Sequence, residues 1–206
     1  DNAAGTGGFL VAAMGEMMRD AGDDEGKIRE IREKQLYGIE YEDSIFALLV
    51  SNMIIHSDGR SNMIWGDTFD IIPKHFKEKG LVDVGLLNPP FKTNRNDPYE
   101  FDFIFSNLDA LKPRGTLIAI LPMSAVTATT GRNYEYKKQL LERHTLEAVV
   151  SLPEDLFHNS KTSVVTVGVV ITAHVPHPHN KETWFGYWRD DGFVKTKKYG
   201  RADINN

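Results

Sequence analysis

The chain has 206 residues, no cysteine and a formal net charge of −5, with 24 Lys and Arg against 29 Asp and Glu. Without cysteine it carries neither a disulfide framework nor thiolate metal ligands, which fits a reducing, cytoplasmic setting. A protein that grips DNA alone shows a basic surface, so this acidic balance assigns phosphate affinity to local cations or to a partner chain. No apolar run reaches membrane-spanning length and no secretory leader is read, so no membrane partner is expected. The length suits one domain, or one domain with a small appendage, able to bury roughly 70% of its unfolded surface.

Taken in order, Asp1-Asn2-Ala3-Ala4-Gly5-Thr6-Gly7-Gly8 leads into Phe9, Leu10, Ala13, Met14 and Met17, which share one helical face. Glycines at a helix start let the backbone approach a ligand, and the free N–H groups there favour polar or anionic partners; a flexible loop is the alternative. A dinucleotide fingerprint would need a further glycine where Leu10 stands, which disfavours a nicotinamide cofactor. Residues 20–30 read as a solvated connection with a short helix running to Lys34.

Gln35 to Ile39 reads as a strand ending at Glu40, and Ile45, Leu48, Leu49 and Met53 give the next helix its apolar stripe. An acidic residue at this strand end of a doubly wound sheet is where a ribose diol is held, because a carboxylate accepts from both hydroxyls; a helix N-terminal acid is the other reading. Asn62 to Trp65 forms a short strand ending at Gly66-Asp67. Asp67 is either an acceptor for an exocyclic adenine amine or the N-cap of a helix that Pro73 shortens.

The apolar run from Leu81 to Leu87 then exits through Asn88-Pro89-Pro90-Phe91. Two prolines cannot continue a ladder, so the chain leaves the sheet in a stiff turn at a carboxyl end, where open α/β sheets bind ligands. On local pattern alone this turn is as readily plain strand punctuation. The polar loop from Lys92 to Pro98 is expected to be mobile, with Lys92 and Arg95 within reach of phosphate.

Tyr99 to Leu111 is helical by its Phe103, Ile104, Leu108 and Leu111 pattern and stops at Lys112-Pro113-Arg114-Gly115. A strand over Thr116 to Leu121 and a helix over Asn133 to His144 follow. Leu146 to Leu152 and Ser163 to Thr172 read as paired strands joined by Glu154-Asp155-Leu156-Phe157-His158-Asn159. Trp184, Phe185, Tyr187, Trp188 and Phe193 around Asp190-Asp191-Gly192 suggest a terminal hairpin. His174, His177 and His179 alternate with Pro176 and Pro178 in an extended stretch that sets up no chelating face, so no metal is assigned.

The glycine turn, Glu40, Asp67 and Asn88 to Phe91 stand at successive strand ends. The residues Asp1 to Leu10, Gly38-Ile39-Glu40, Gly66-Asp67-Thr68 and Asn88 to Phe91 resemble the amino-methylating DNA methyltransferases that use S-adenosylmethionine (SAM). The resemblance is greatest to the modification subunit of type I restriction-modification systems. Leu152-Pro153 with Leu156-Phe157 and the following Thr162-Ser163-Val164 also match.

The resemblance implies a doubly wound, mostly parallel seven-stranded α/β sheet with helices on both faces and an antiparallel strand near the C-terminal end. Residues 1–175 would be the catalytic domain, lacking its N-terminal part, and 176–206 a C-terminal loop and hairpin extension. Asp1, Gly5, Thr6 and Gly7 would border the methionine part of SAM, Glu40 its ribose and Asp67 its adenine. Asn88, Pro89, Pro90 and Phe91 would act on a flipped-out DNA adenine, with a specificity subunit and a restriction subunit as partners. The same tetrad also occurs in methyltransferases acting on protein glutamine or RNA guanine amines, and a non-catalytic SAM-binding scaffold subunit is a further alternative. The family usually carries proline where Asn2 stands, a departure expected to change little because the turn glycines remain.

Overall fold

The computed structural model describes residues 1–56, 62–79, 82–153, 156, 164–189, 192–196 and 200–203. Glu154, Asp155, Phe157, His158, Asn159, Thr162, Ser163, Asp190 and Asp191 lie outside the described residues, and with them much of the joining and terminal loops read from sequence.

The glycine turn opens helix α1 (Gly8–Ala21), whose Leu10 and Met14, four apart on one face, are buried. Helix α2 (Glu25–Glu30) runs into a π-helical turn over Ile31–Gln35 and then strand β1 (Tyr37–Glu40). Helix α3 (Asp43–Ile55) buries Leu49 and Met53 against α1, whereas Leu48, placed on the same stripe by sequence, is exposed. Strand β2 (Asn62–Trp65) pairs in parallel with β1. Helix α4 (Thr68–Lys79) continues through Pro73 rather than ending near it.

Strand β3 (Val82–Leu87) is followed by helix α5 (Glu100–Asp109), which buries Phe101, Phe103, Ile104 and Leu108 in the largest core cluster. Strand β4 (Leu111–Pro122) starts earlier than expected: Val82 pairs with Leu111 and Val84 with Thr116, so Lys112 to Gly115 bulge out without ending the strand. Helices α6 (Met123–Thr127) and α7 (Gly131–Arg143) precede strands β5 (Thr145–Ser151) and β6 (Thr166–Thr172), which pair as read from sequence and run antiparallel.

The sheet departs from the expected seven-stranded, mostly parallel form. A five-stranded mixed sheet has the order β3-β4-β6-β5-β7, where β7 is Trp184–Tyr187, with β6 opposed to its neighbours, and β1-β2 form a separate two-stranded sheet. The division follows from the edges. The outer edge of β1 bonds to Asp1–Ala4, with Ile39 N donating to the Asp1 carbonyl and Ala4 N to the Ile39 carbonyl, each at 2.9 Å. No described strand joins that segment to β3, and a cavity of about 670 Å³ bordered by Tyr37, Leu10, Val82 and Val84 separates them.

Strand β7 (Trp184–Tyr187) is also not half of a terminal hairpin, because it pairs in parallel with β5 through Ala148↔Trp184 to Ser151↔Tyr187. The hairpin instead joins β8 (Phe193–Thr196) to β9 (Gly200–Asp203). Among the described residues no helix is long and apolar enough to cross a membrane.

Candidate functional site

The carboxyl ends of β1, β2 and β3 open on one cavity of about 650 Å³, within the size range of small-molecule sites. Gly5, Glu40, Asp67, Asn88, Pro90 and Phe91 line it, bringing together residues up to 86 positions apart that sequence reading had singled out separately. Asp1, Thr6, Gly7 and Pro89 do not border this cavity. Asp1 accepts from Ala3 N at 3.1 Å through its side chain, the Thr6 carbonyl accepts from the Asn52 amide at 2.9 Å, and Pro89 is buried.

The glycine turn is shaped by two left-handed residues, Gly5 at φ 56° and Gly7 at φ 87°. They differ in surroundings. A Cβ on Gly5 would meet nothing within 4 Å, while one on Gly7 would stand 2.7 Å from Leu49 Cδ1. Gly7 therefore serves close packing of the turn on α3, and Gly5 leaves open space beside the cavity.

Glu40 joins the turn to β1. Its Oε2 accepts from Gly5 N and its Oε1 from Glu42 N, both at 2.9 Å, and its main-chain carbonyl accepts from Gly66 N at 2.9 Å. An ionised carboxylate has about four acceptor sites, so each oxygen retains one for a hydroxyl. Asp67 acts as the N-cap of α4: its Oδ1 accepts from Phe69 N at 2.9 Å and its carbonyl from Ile71 N at 3.0 Å. This is the local reading of Asp67, and the capping bond uses only part of its acceptor capacity. An acceptor-only carboxylate beside an open glycine turn, in a cavity of this size, fits a nucleoside diol and a charged methyl donor.

Asn88 stands at the end of β3 with its side chain exposed on the cavity, and the buried ring of Pro89 anchors the turn beneath it. Phe91 is half-buried on the same rim. The following loop is not loose. Asp97 Oδ2 accepts from Asn94 N at 2.7 Å, Thr93 N at 3.1 Å and Thr93 Oγ1 at 3.2 Å. Those main-chain bonds hold the Asp97 carboxyl below the usual carboxylate range. The Lys92 ammonium, read from sequence as within reach of phosphate, donates to the Arg95 carbonyl at 2.9 Å and to the Asp97 carbonyl, 4.6 Å above the Tyr99 ring.

Sequence reading missed Glu100. It begins α5, is only 4% exposed, and its Oε1 accepts from Lys92 N at 2.8 Å, one residue after the tetrad. A carboxylate in the first turn of a helix is favoured by the dipole, which is the only local signal it gave. Asn2 is also buried and bonded across the molecule, to the Phe103 carbonyl at 3.1 Å, so the exchange from proline brings new contacts.

Two of the three histidines, His174 and His177, make bonds within the fold. His174 Nε2 lies 3.1 Å from the Leu111 carbonyl, and His177 Nδ1 accepts from Leu146 N at 3.3 Å. Among the described residues no cluster of His, Asp or Glu could hold a metal ion.

Residues 1–201 match the model of the N-6 DNA Methylase family. The chain is 36% identical over 204 residues to the type II restriction enzyme and methyltransferase RM.BcgI of Heyndrickxia coagulans, covering 97% of this chain and 31% of that protein. It is 29% identical over 199 residues to the type I restriction enzyme EcoEI methylase subunit of Escherichia coli, covering 90% and 39%. A chain from a structure of a type I R-M system superposes with a TM-score of 0.73 at 26% identity, covering 90% of this chain and 39% of that one. The chain thus spans 31–39% of the length of the curated relatives it matches. With the match running over nearly its whole length, this chain belongs to the N-6 DNA methylase family.

Proposed function

We propose that this chain is the catalytic part of a SAM-dependent methyltransferase that modifies the N6 amino group of a flipped-out adenine in DNA, within a restriction-modification system. Residues 1–175 form the catalytic domain, and residues 176–206 an extension that lends β7 to the sheet. The observation that carries the reading is one cavity bordered on one side by Gly5 and Glu40 and on the other by Asn88 and Phe91.

The donor supplies an electrophilic methyl group when bound. Gly5 borders its methionine part, while Thr6 and Gly7 complete the turn that presents it and Asp1 holds the turn's start through its side-chain bond from Ala3 N. Glu40 accepts from the ribose hydroxyls through the acceptor capacity left on each oxygen, and Asp67 accepts from the cofactor adenine beside its capping bond. Hydrogen bonds to such charged groups are worth about 1.5–3 kcal/mol each.

An adenine inside a duplex cannot present its amino group in line with a methyl donor, so it is flipped out at a cost of a few kcal/mol. Stacking on Phe91 offsets roughly 1–3 kcal/mol of that cost. The Asn88 amide oxygen, exposed on the cavity, accepts an amino hydrogen and so aims the nitrogen lone pair at the methyl group. Pro89 and Pro90 keep that acceptor fixed before reaction, so catalysis is positioning and preorganised electrostatics. The net charge of −5 makes a separate specificity subunit the source of sequence reading and most phosphate affinity, with a restriction subunit as a further partner.

The test is transfer of tritiated methyl from SAM by the full-length protein in its assembly, offered DNA, RNA and protein. Label on N6 of adenine in DNA, abolished by Asn88→Ala with SAM affinity retained, supports the proposal. Label confined to RNA or protein, or undiminished turnover in Asn88→Ala, overturns it.

A further inference from the structure

Two buried amides, Asn2 on the wall of the cavity and Asn107 outside its lining, are bonded to both of its halves. Each is 4% exposed. Asn2 Nδ2 donates to the Phe103 carbonyl at 3.1 Å, and Asn107 Nδ2 donates to Asn2 Oδ1 at 2.8 Å and to the Leu86 carbonyl at 3.4 Å. Main-chain carbonyls only accept, so both amide orientations follow from chemistry: each side chain turns its NH2 toward a carbonyl, and the Asn2 oxygen is left to receive Asn107.

Strand β3 is shaped around this pair. A Cβ on Gly85 would stand 2.0 Å from Asn107 Oδ1, closer than any side chain tolerates. Gly85 is therefore required where the Asn107 amide presses against the strand, in keeping with glycine inside a strand marking a close approach. Asn2 lies three residues before Gly5, and Leu86 two residues before Asn88. The sheet does not connect these places directly, because β1 and β3 belong to separate sheets. Asn2–Asn107–Leu86 is a buried polar tie across that division.

We infer that Asn2 and Asn107 are positioning residues that set the distance between the glycine turn and the Asn88 tetrad for methyl transfer. The inference rests on the activity proposed above. Asn107 does not border the cavity, and Asn2, which does, commits its amide to Phe103 and Asn107. The pair acts by fixing two backbone segments whose relative displacement by about 1 Å would slow an in-line transfer by up to a hundredfold. A buried amide pair suits that task because flipping either amide would turn its oxygen toward a main-chain carbonyl and lose the bond.

The experiment uses the full-length protein in its assembly and measures single-turnover methyl transfer to DNA, SAM affinity by calorimetry, and melting temperature. The variants are Asn2→Leu, Asn107→Leu and the double. Each single variant should slow transfer about tenfold or more while changing the SAM dissociation constant less than threefold. The double should be no slower than the slower single, because one break already severs the tie. Asn107→Ser, smaller and able to donate, should recover part of the rate.

Wild-type-like transfer in both singles overturns the inference, as do losses that multiply in the double. So does a rate loss explained by weakened SAM affinity. If every variant including Asn107→Ser melts below the assay temperature, the pair is a folding device alone and the inference fails. A wild-type protein that transfers no methyl to DNA overturns the activity itself and this inference with it, whereas an active wild type with unaffected variants overturns only the inference.

Discussion

The carboxylate of Glu40 accepts the main-chain N–H of Gly5 at 2.9 Å across 35 residues of sequence. This bond ties the glycine turn to the end of β1, while the other oxygen accepts from Glu42 N. Glu40 thereby shapes the turn as well as offering acceptors to a ligand.

Glu40→Gln replaces one acceptor oxygen by an NH2 that must face a main-chain donor. Loss of one charge-assisted bond, about 1.5–3 kcal/mol, corresponds to a roughly ten- to hundredfold rise in the SAM dissociation constant. Isothermal calorimetry measures it; unchanged affinity would separate Glu40 from the cofactor.

Glu100 makes a parallel case on the base side. In Glu100→Ala the Lys92 N–H loses its acceptor. An unsatisfied buried donor costs about 1–3 kcal/mol, enough to shift the turn exit. Transfer should fall about tenfold with SAM affinity unchanged, and Glu100→Gln, which keeps an acceptor oxygen, should restore most of it. Equal rates in all three proteins would show that the loop does not depend on this bond.

The two turn glycines should respond unequally to alanine. Both adopt positive φ, a strain of about 1–2 kcal/mol for alanine. Only Gly7→Ala also drives a Cβ into Leu49, adding about 1–3 kcal/mol of overpacking. At roughly 2–4 °C per kcal/mol for a domain of this size, Gly7→Ala should melt several degrees below Gly5→Ala by calorimetry. The reverse order would contradict the packing described.

His144 supplies a pH dependence. It is fully buried at the end of α7, its Nδ1 accepts from His174 N at 3.0 Å, and its pKa is lowered from 6.5 to about 4 by burial, then by Arg143 and His174. The folded state holds the neutral ring, so above pH 6.5 this group leaves stability unchanged. As pH falls from 6.5 toward 4 the unfolded chain takes up a proton that the folded chain refuses, and stability is lost. At 1.36 kcal/mol per pKa unit the loss is at most about 3 kcal/mol. Urea denaturation at pH 7.5 and 4.5 should show a smaller difference for His144→Gln than for wild type; equal differences would exclude His144 as the source.

Local sequence accounted for the elements and for several site residues. The 3.6-residue period of Leu10 and Met14 and the four-residue β2 from Asn62 to Trp65 are properties of short windows and appear in the fold as read, and the β-branched run forms a strand that starts at Thr166. The Asn88 to Phe91 turn was legible because proline ends a ladder wherever it stands. Asp67 showed both of its readings, and the capping bond to Phe69 is the one the fold displays.

Tertiary structure decided what no window contains. Sheet order depends on which edges meet: β7 joins β5, and β1 and β3 stay apart because Asp1–Ala4 take the edge of β1. Glu100 looked like an ordinary helix-start acid, and its bond to Lys92 N exists only because the loop folds back over α5. Asn2 looked like a harmless exchange, yet its partners lie 101 and 105 residues away. The sequence determined by itself which residues can end a strand, start a helix or accept a proton donor, because those are local covalent and steric properties. Which of them share one cavity, and which amides hold its two sides together, was decided by long-range packing.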